Sequence, residues 1–176
     1  MRLLLLITAI FFAEFTFSQS RVNPIIKSDG GIWEMPNAVE KPDPNLQYKI
    51  VIDLYTGAEN PSRISPALNN VARMINLHAV GGVPAKNITV VGVSHASNTK
   101  SILTNEAYKK RYGVDNPNIE LIQELTEKGV KLFVCGQSLK ARGYNQNEVN
   151  PNIGLSVSAL TVMTTYQLTG YAALKF

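Results

Sequence analysis

Apolar positions fall into short continuous runs that alternate with segments of helical spacing. "YKIVIDLYTG", Tyr48 to Gly57, is apolar through its middle and ends on glycine. Such a run predicts a strand buried on both faces. "KNITVVGVSH" and "VKLFVCG" read the same way. Between the first two, Ile64, Leu68, Val71 and Ile75 share one helical face. Ser65-Pro66 opens that helix, with Asn60-Pro61 as an earlier start, and Gly81-Gly82 closes it. "SILTNEAYKKRYG" predicts a short helix. Asp115-Asn116-Pro117 caps a further one, "PNIELIQELTEKG", which Gly129 stops. "QSLKARG" supplies about two turns before Gly143, and "YNQNEVNPNIGL" reads as a loop with room for one helical turn. The tail is ambiguous. Its valines and threonines favour strand, whereas Ser158 as a cap and Leu160, Met163 and Leu168 at helical offsets favour helix. We read a helix from Ala159 to Thr169 and a last strand from Tyr171 to Lys175. Strands separated by helices imply a parallel sheet covered on both faces.

The first residues follow a different plan. "MRLLLLITAIFFAEFTFSQS" has Arg2, an apolar run from Leu3 to Phe12, and small residues at Thr16, Ser18 and Ser20. This order predicts a signal peptide over residues 1–18, cleaved before Gln19, with Ser20 marking a second cleavage position. The run is short for a membrane span of about 20 residues. An uncleaved anchor and a merely apolar start are the other readings. The expected mature protein is exported to the periplasm and free of the membrane. Residues 19–47 are rich in proline, glycine and asparagine, but Ile25, Ile26, Ile32, Trp33 and Met35 are too apolar for a free linker. They predict an extended arm packed on the domain or on a neighbouring subunit, with a flexible leader as the plainer option. Residues 48–176 form the domain.

Composition narrows the function. The 176 residues are 45% hydrophobic and 17% charged, enough for one sizeable core. A net charge of +4 is too small to argue for a nucleic-acid partner, and Lys109-Lys110-Arg111 reads as a solvated helix end. Two histidines and one cysteine make a closed protein zinc site improbable, so no metal is expected. Gly57 and Gly92 are solitary, with no P-loop or dinucleotide fingerprint around them, and no cofactor is expected.

The chemistry converges on one edge. Ligands of open parallel sheets bind beyond the carboxyl ends of the strands. Three segments reach that edge: Asp53 to Glu59, Ser94 to Asn98, and Cys135 to Ser138. His95 and Cys135 should therefore lie on the same edge. Cys135 precedes a short helix, where free N–H groups favour thiolate, and Lys140 and Arg142 add positive charge nearby. It is equally placed to be a small apolar filler. His95 suits a proton donor or acceptor, or a plain capping role. His78 sits near a helix C-terminus and suits an interaction with the dipole.

"FVCGQSLKARG", preceded by "YGVDNPNIELIQELTEKGVKL", strongly resembles the DsrE/DsrF-like (YchN-like) family of sulfur-relay proteins. The pattern is an asparagine-proline-capped helix, glycine, a strand, Cys-Gly, and a short helix ending Ala-Arg-Gly. The arm with "PIIKSDGGIWEMPNA" is similar to the leader of the family's exported, uncharacterised members. The resemblance implies a three-layer α/β/α domain with a five-stranded parallel sheet, assembled as a homotrimer or homohexamer. It implies a persulfide on Cys135. Family members usually follow the histidine of the second strand with glycine; here His95 is followed by Ala96.

Two functions follow from these residues. The first is a sulfur carrier, which accepts sulfane sulfur on Cys135, uses His95 for proton movement, and exchanges with a donor or acceptor protein. The alternative is a non-enzymatic oligomeric module that binds a small anion or metabolite at the same pocket, with Gly136, Gln137, Ser138, Asn98 and Thr99 as contacts. A thiol-nucleophile hydrolase needs a third group to orient His95, and the sequence offers no convincing one.

Overall fold

The protein is described by a computed structural model covering residues 20–176; the predicted signal peptide lies outside the described residues. Strand β1 spans Tyr48–Leu54, β2 Ile88–Ser94, β3 Lys131–Cys135, β4 Gly154–Ser156 and β5 Ala172–Lys175. Helix α1 spans Pro66–Val80, α2 Asn105–Tyr112, α3 Ile119–Glu127, α4 Gly136–Ala141 and α5 Ala159–Leu168. The five strands form one parallel sheet in the order β4-β3-β2-β1-β5. No helix among the described residues is long and apolar enough to cross a membrane.

The sheet separates two cores. On one face Ile50, Ile52 and Leu54 of β1 pack with Leu68, Val71 and Ile75 of α1 and Leu121, Ile122 and Leu125 of α3. On the other, Val51, Val91, Val93 and Cys135 pack with Ala159 and Val162 of α5. The alternation along β1 follows from the two-residue period of a strand. It puts Asp53 on the α5 side, next to Val51.

The local signals act as the residue pattern implies. The Ser65 hydroxyl accepts from the Leu68 N–H at 3.3 Å, Pro66 takes the first helical position, and Gly81 and Gly82 end α1. Thr104 caps α2 in the same manner, accepting from Ala107. α3 begins at Ile119, two residues later than its proline suggests. The Asn116 side chain is occupied, donating to the carbonyls of Ser101 and Leu103 and accepting from the Asn118 N–H. The ambiguous tail is a helix followed by a strand. β4 is the strand the residue pattern does not show, and its pairing with β3 completes the five.

Residues 20–47 lie on the α1/α3 face of their own domain. Ile26 and Ile32 are fully buried. Asn76 of α1, also fully buried, holds the arm with four hydrogen bonds. Its Oδ1 accepts from the N–H groups of Ile25 and Ile26, and its Nδ2 donates to the carbonyls of Ile26 and Gly30. Glu124 of α3 accepts from the Lys27 and Ser28 N–H groups and from the Ser28 hydroxyl.

Candidate functional site

Cys135 ends β3 and stands at the N-cap position of α4. It is 5% exposed. Burial pushes its thiol pKa up. The backbone N–H groups of Ser138, Ala159 and Gln137 and the Ser138 hydroxyl act the other way, and the net pKa is lowered. Ser138 and Gln137 belong to α4 and Ala159 opens α5, so the sulfur lies before the N-termini of two helices. Positive ends of helices favour an anion. Gly136 lets this happen. A Cβ there would stand 2.9 Å from the Ser156 carbonyl oxygen, so only glycine allows the β4–α5 corner to close over Cys135.

His95 follows β2 in extended backbone. Ser94 pairs with Val134 across β2 and β3, so the next positions on these strands are His95 and Cys135. The imidazole is hydrogen-bonded to Asp53 of β1: Nε2 donates to the Asp53 Oδ1. Tyr55 sets its ring edge-on to the imidazole at 5.3 Å, and the Lys175 ammonium lies over the Tyr55 ring at 4.5 Å. Asp53 and Lys175 are register partners on β1 and β5. Lysine, carboxylate, imidazole and thiol thus occupy the ends of four neighbouring strands. Among the described residues no hydrogen bond joins the imidazole to the thiol.

The loop after His95 is fixed by its own bonds. The His95 N–H donates to the Leu54 carbonyl at 3.1 Å, and the Asn98 N–H to the carbonyls of Tyr55 and His95 at 3.1 Å each. The Ser97 hydroxyl donates to Tyr55 and accepts from the Gly57 N–H. Ala96 is the single non-glycine residue with positive φ among the described residues, at 47°. Its N–H donates to the Ser138 hydroxyl at 3.4 Å, which ties the histidine loop to the cysteine helix.

The other predicted contacts divide. Gly136, Gln137 and Ser138 surround the thiol. Asn98 and Thr99 are fully buried, and their side chains are used inside the loop. Asn98 accepts from the Ser65 hydroxyl and donates to Ser94, and the Thr99 hydroxyl donates to the Ala96 carbonyl. Lys140 on α4 and Arg142 just after it are exposed. His78 donates from Nδ1 to the Met74 carbonyl in the last turn of α1. Among the described residues, no three His, Cys, Asp or Glu side chains group as a metal site. Asp53 is the site residue that reading the sequence did not pair with His95. Its signal was a charge inside a strand run otherwise apolar on both sides.

The DsrE/DsrF-like family profile matches residues 49–176. The chain belongs to the DsrE/DsrF-like family. Two solved structures share the fold. One is a protein of unknown function, MTH1491 from Methanobacterium thermoautotrophicum, at 17% identity and a TM-score of 0.56. The other is the ychN protein from E. coli, at 18% identity and a TM-score of 0.53. Each match covers 73% of this chain and 99% of the other. No curated protein sequence matches. Membership of the DsrE/DsrF-like family assigns the fold and a family known for sulfur relay.

Proposed function

We propose that this protein carries sulfane sulfur as a persulfide on Cys135 and passes it to a partner thiol. One observation carries the reading: a 5% exposed thiol lies before the N-termini of α4 and α5, where the N–H groups of Gln137, Ser138 and Ala159 oppose the effect of burial. A thiolate is the sulfur nucleophile, and a persulfide anion on the same atom benefits from the same N–H groups. Cys135 attacks the outer sulfur of a donor persulfide R–S–SH. The new S–S bond forms at Cys135, the old one breaks, and its electron pair leaves on R–S⁻. His95 serves the proton movement.

The test is intact mass and alkylation of protein purified without reductant, before and after exposure to a small persulfide. We expect a gain of one sulfur, reversed by a thiol and absent in Cys135→Ser. Equal sulfur uptake by Cys135→Ser sinks the reading.

The proposal extends to setting and assembly. The protein is exported to the periplasm after loss of residues 1–18, and it works as a homotrimer or homohexamer beside a sulfur donor or acceptor protein. Support for assembly is the apolar surface around the site. Leu155, Val157, Leu160 and Leu168 are exposed, and α5 has apolar residues around most of its circumference. The binding-module alternative draws on the same site. It loses Asn98 and Thr99 as contacts, since both side chains are bonded inside the loop.

A further inference from the structure

Asp53 is the group near Cys135 whose placement the sulfur-carrier reading does not use. Its neighbours along β1, Ile52 and Leu54, are buried, yet its own side chain ends in a carboxyl group. Its side chain keeps 19% exposure and that of His95 keeps 23%. Both stand on the α5 face with Cys135, on three adjacent strands. The contact is single-sided. A carboxylate oxygen accepts, so the hydrogen on Nε2 points to Asp53 and Nδ1 is the ring nitrogen left for other chemistry. The surroundings hold this arrangement from both sides. Tyr55 meets the ring edge-on, Lys175 sits beyond Tyr55, and the backbone around Asp53 is gripped by the last strand. The Phe176 N–H donates to the Asp53 carbonyl at 2.9 Å. The charged or titratable groups around His95 are Asp53 from β1 and Tyr55 just after it, with Lys175 of β5 against the Tyr55 ring and Cys135 at the end of the adjacent strand β3.

Resting on the sulfur-carrier reading, we propose that Asp53 is a positioning residue: it holds His95 so that the free ring nitrogen serves the sulfur that leaves when Cys135 is charged. The step balances without another reagent. Cys135–S⁻ attacks R–S–SH, giving Cys135–S–SH and R–S⁻. With the Nε2 hydrogen held by Asp53, Nδ1 takes up a proton from solvent and passes it to R–S⁻, leaving RSH and the neutral Nε2–H imidazole. The same logic holds for a disulfide R–S–S–R, which yields a mixed disulfide on Cys135 and RSH. An acid matters most when the departing thiolate is a strong base, and little when it is a weak one. The Asp53–His95 pair therefore separates donors by the basicity of their leaving sulfur.

The experiment compares wild type, Asp53→Asn and His95→Gln with four probes of Cys135. Iodoacetamide releases iodide, which needs no proton, and an aryl disulfide releases a weakly basic thiolate. An alkyl disulfide and a small alkyl persulfide release strongly basic ones. We expect both variants to react with the alkyl probes about 100-fold more slowly, while the iodoacetamide and aryl-disulfide rates stay close to wild type. On wild-type protein, ¹⁵N–¹H correlation of the imidazole should show the Nε2–H tautomer. Uniform slowing with all four probes, no slowing with any, or an Nδ1–H tautomer overturns the proposal. If the alkyl-disulfide effect appears but no persulfide sulfur is retained, the carrier reading falls and the role of Asp53 in thiol exchange stands. If sulfur is retained and Asp53→Asn matches wild type, the carrier stands and this role falls.

Discussion

Gly136→Ala tests whether the closed β4–α5 corner is what activates the thiol. The new Cβ would lie 2.9 Å from the Ser156 carbonyl oxygen and 3.5 Å from that of Val157. Ordinary contact begins at 3.4 Å, so the corner must retreat by about half an ångström. The obstacle is backbone, which cannot swing aside as a flexible side chain does. Overpacking of this kind costs about 1–3 kcal/mol. Alanine at the first position of α4 returns up to about 1 kcal/mol through propensity and a less disordered unfolded chain. The expected net loss is about 1–2 kcal/mol, read as a lower urea midpoint at unchanged slope. The chemical consequence is separate. Ala159 follows this corner, so its N–H moves away from the sulfur and burial is opposed less. The Cys135 pKa should rise, and alkylation at pH 7 should slow. A variant at least as stable as wild type, with the same pH profile of alkylation, would refute the argument.

Three further outcomes rest on other parts of the chain. Asn76→Ala removes four hydrogen bonds to the arm, three of them buried, and should cost about 2–4 kcal/mol; hydrogen exchange should show the Ile25 and Ile26 amides losing protection before the sheet does. Glu124 is pushed up by burial but pulled lower still by the Ser28 hydroxyl and the Lys27 and Ser28 amides, so its folded pKa lies below the ordinary 4.5. Its contribution to stability is therefore present above pH 4.5 and lost as pH falls through the lower folded value, and urea titrations at several pH values should show Glu124→Gln converging on wild type in acid. Ala96→Gly should raise stability by about 0.5–1 kcal/mol, because φ at 47° disfavours a side chain; a fall in urea midpoint would count against the strain.

Much of the architecture was legible because it rests on local signals. Ser65-Pro66, Gly129 and Gly143 punctuate the chain, and three apolar runs give three central strands. β4 was not legible because Gly154–Ser156 is three residues long and has no apolar run of its own. Its place is set by β3: Ser156 pairs with Cys135, and the Ser156 hydroxyl donates to the Val134 carbonyl at 2.8 Å. The start of α3 was misplaced for a related reason. Asn116 looks like a cap, but its side chain serves distant carbonyls at 2.8 and 3.1 Å. At the site, strand order made it possible to expect His95 and Cys135 on one edge. The Asp53 partnership needs the register, which no single strand reveals.

Ala96 shows how the site is held. A left-handed residue with a side chain costs about 1–2 kcal/mol, and relaxing it would turn the chain after His95. The loop resists through bonds that converge on this one turn: His95 to Leu54, Asn98 to Tyr55 and His95, Thr99 to Ala96, and Ala96 to Ser138. Each partner outside the loop belongs to β1, its continuation or α4. The strained turn is thus the point where the Asp53 strand and the Cys135 helix are referenced to each other. Glycine is the residue that adopts this conformation without strain. Alanine keeps the conformation only because neighbouring bonds impose it. Loosening those bonds should therefore disturb the imidazole before it disturbs the sheet. The Ser138 hydroxyl is the bond to remove first, since it serves both the Ala96 N–H and the thiol.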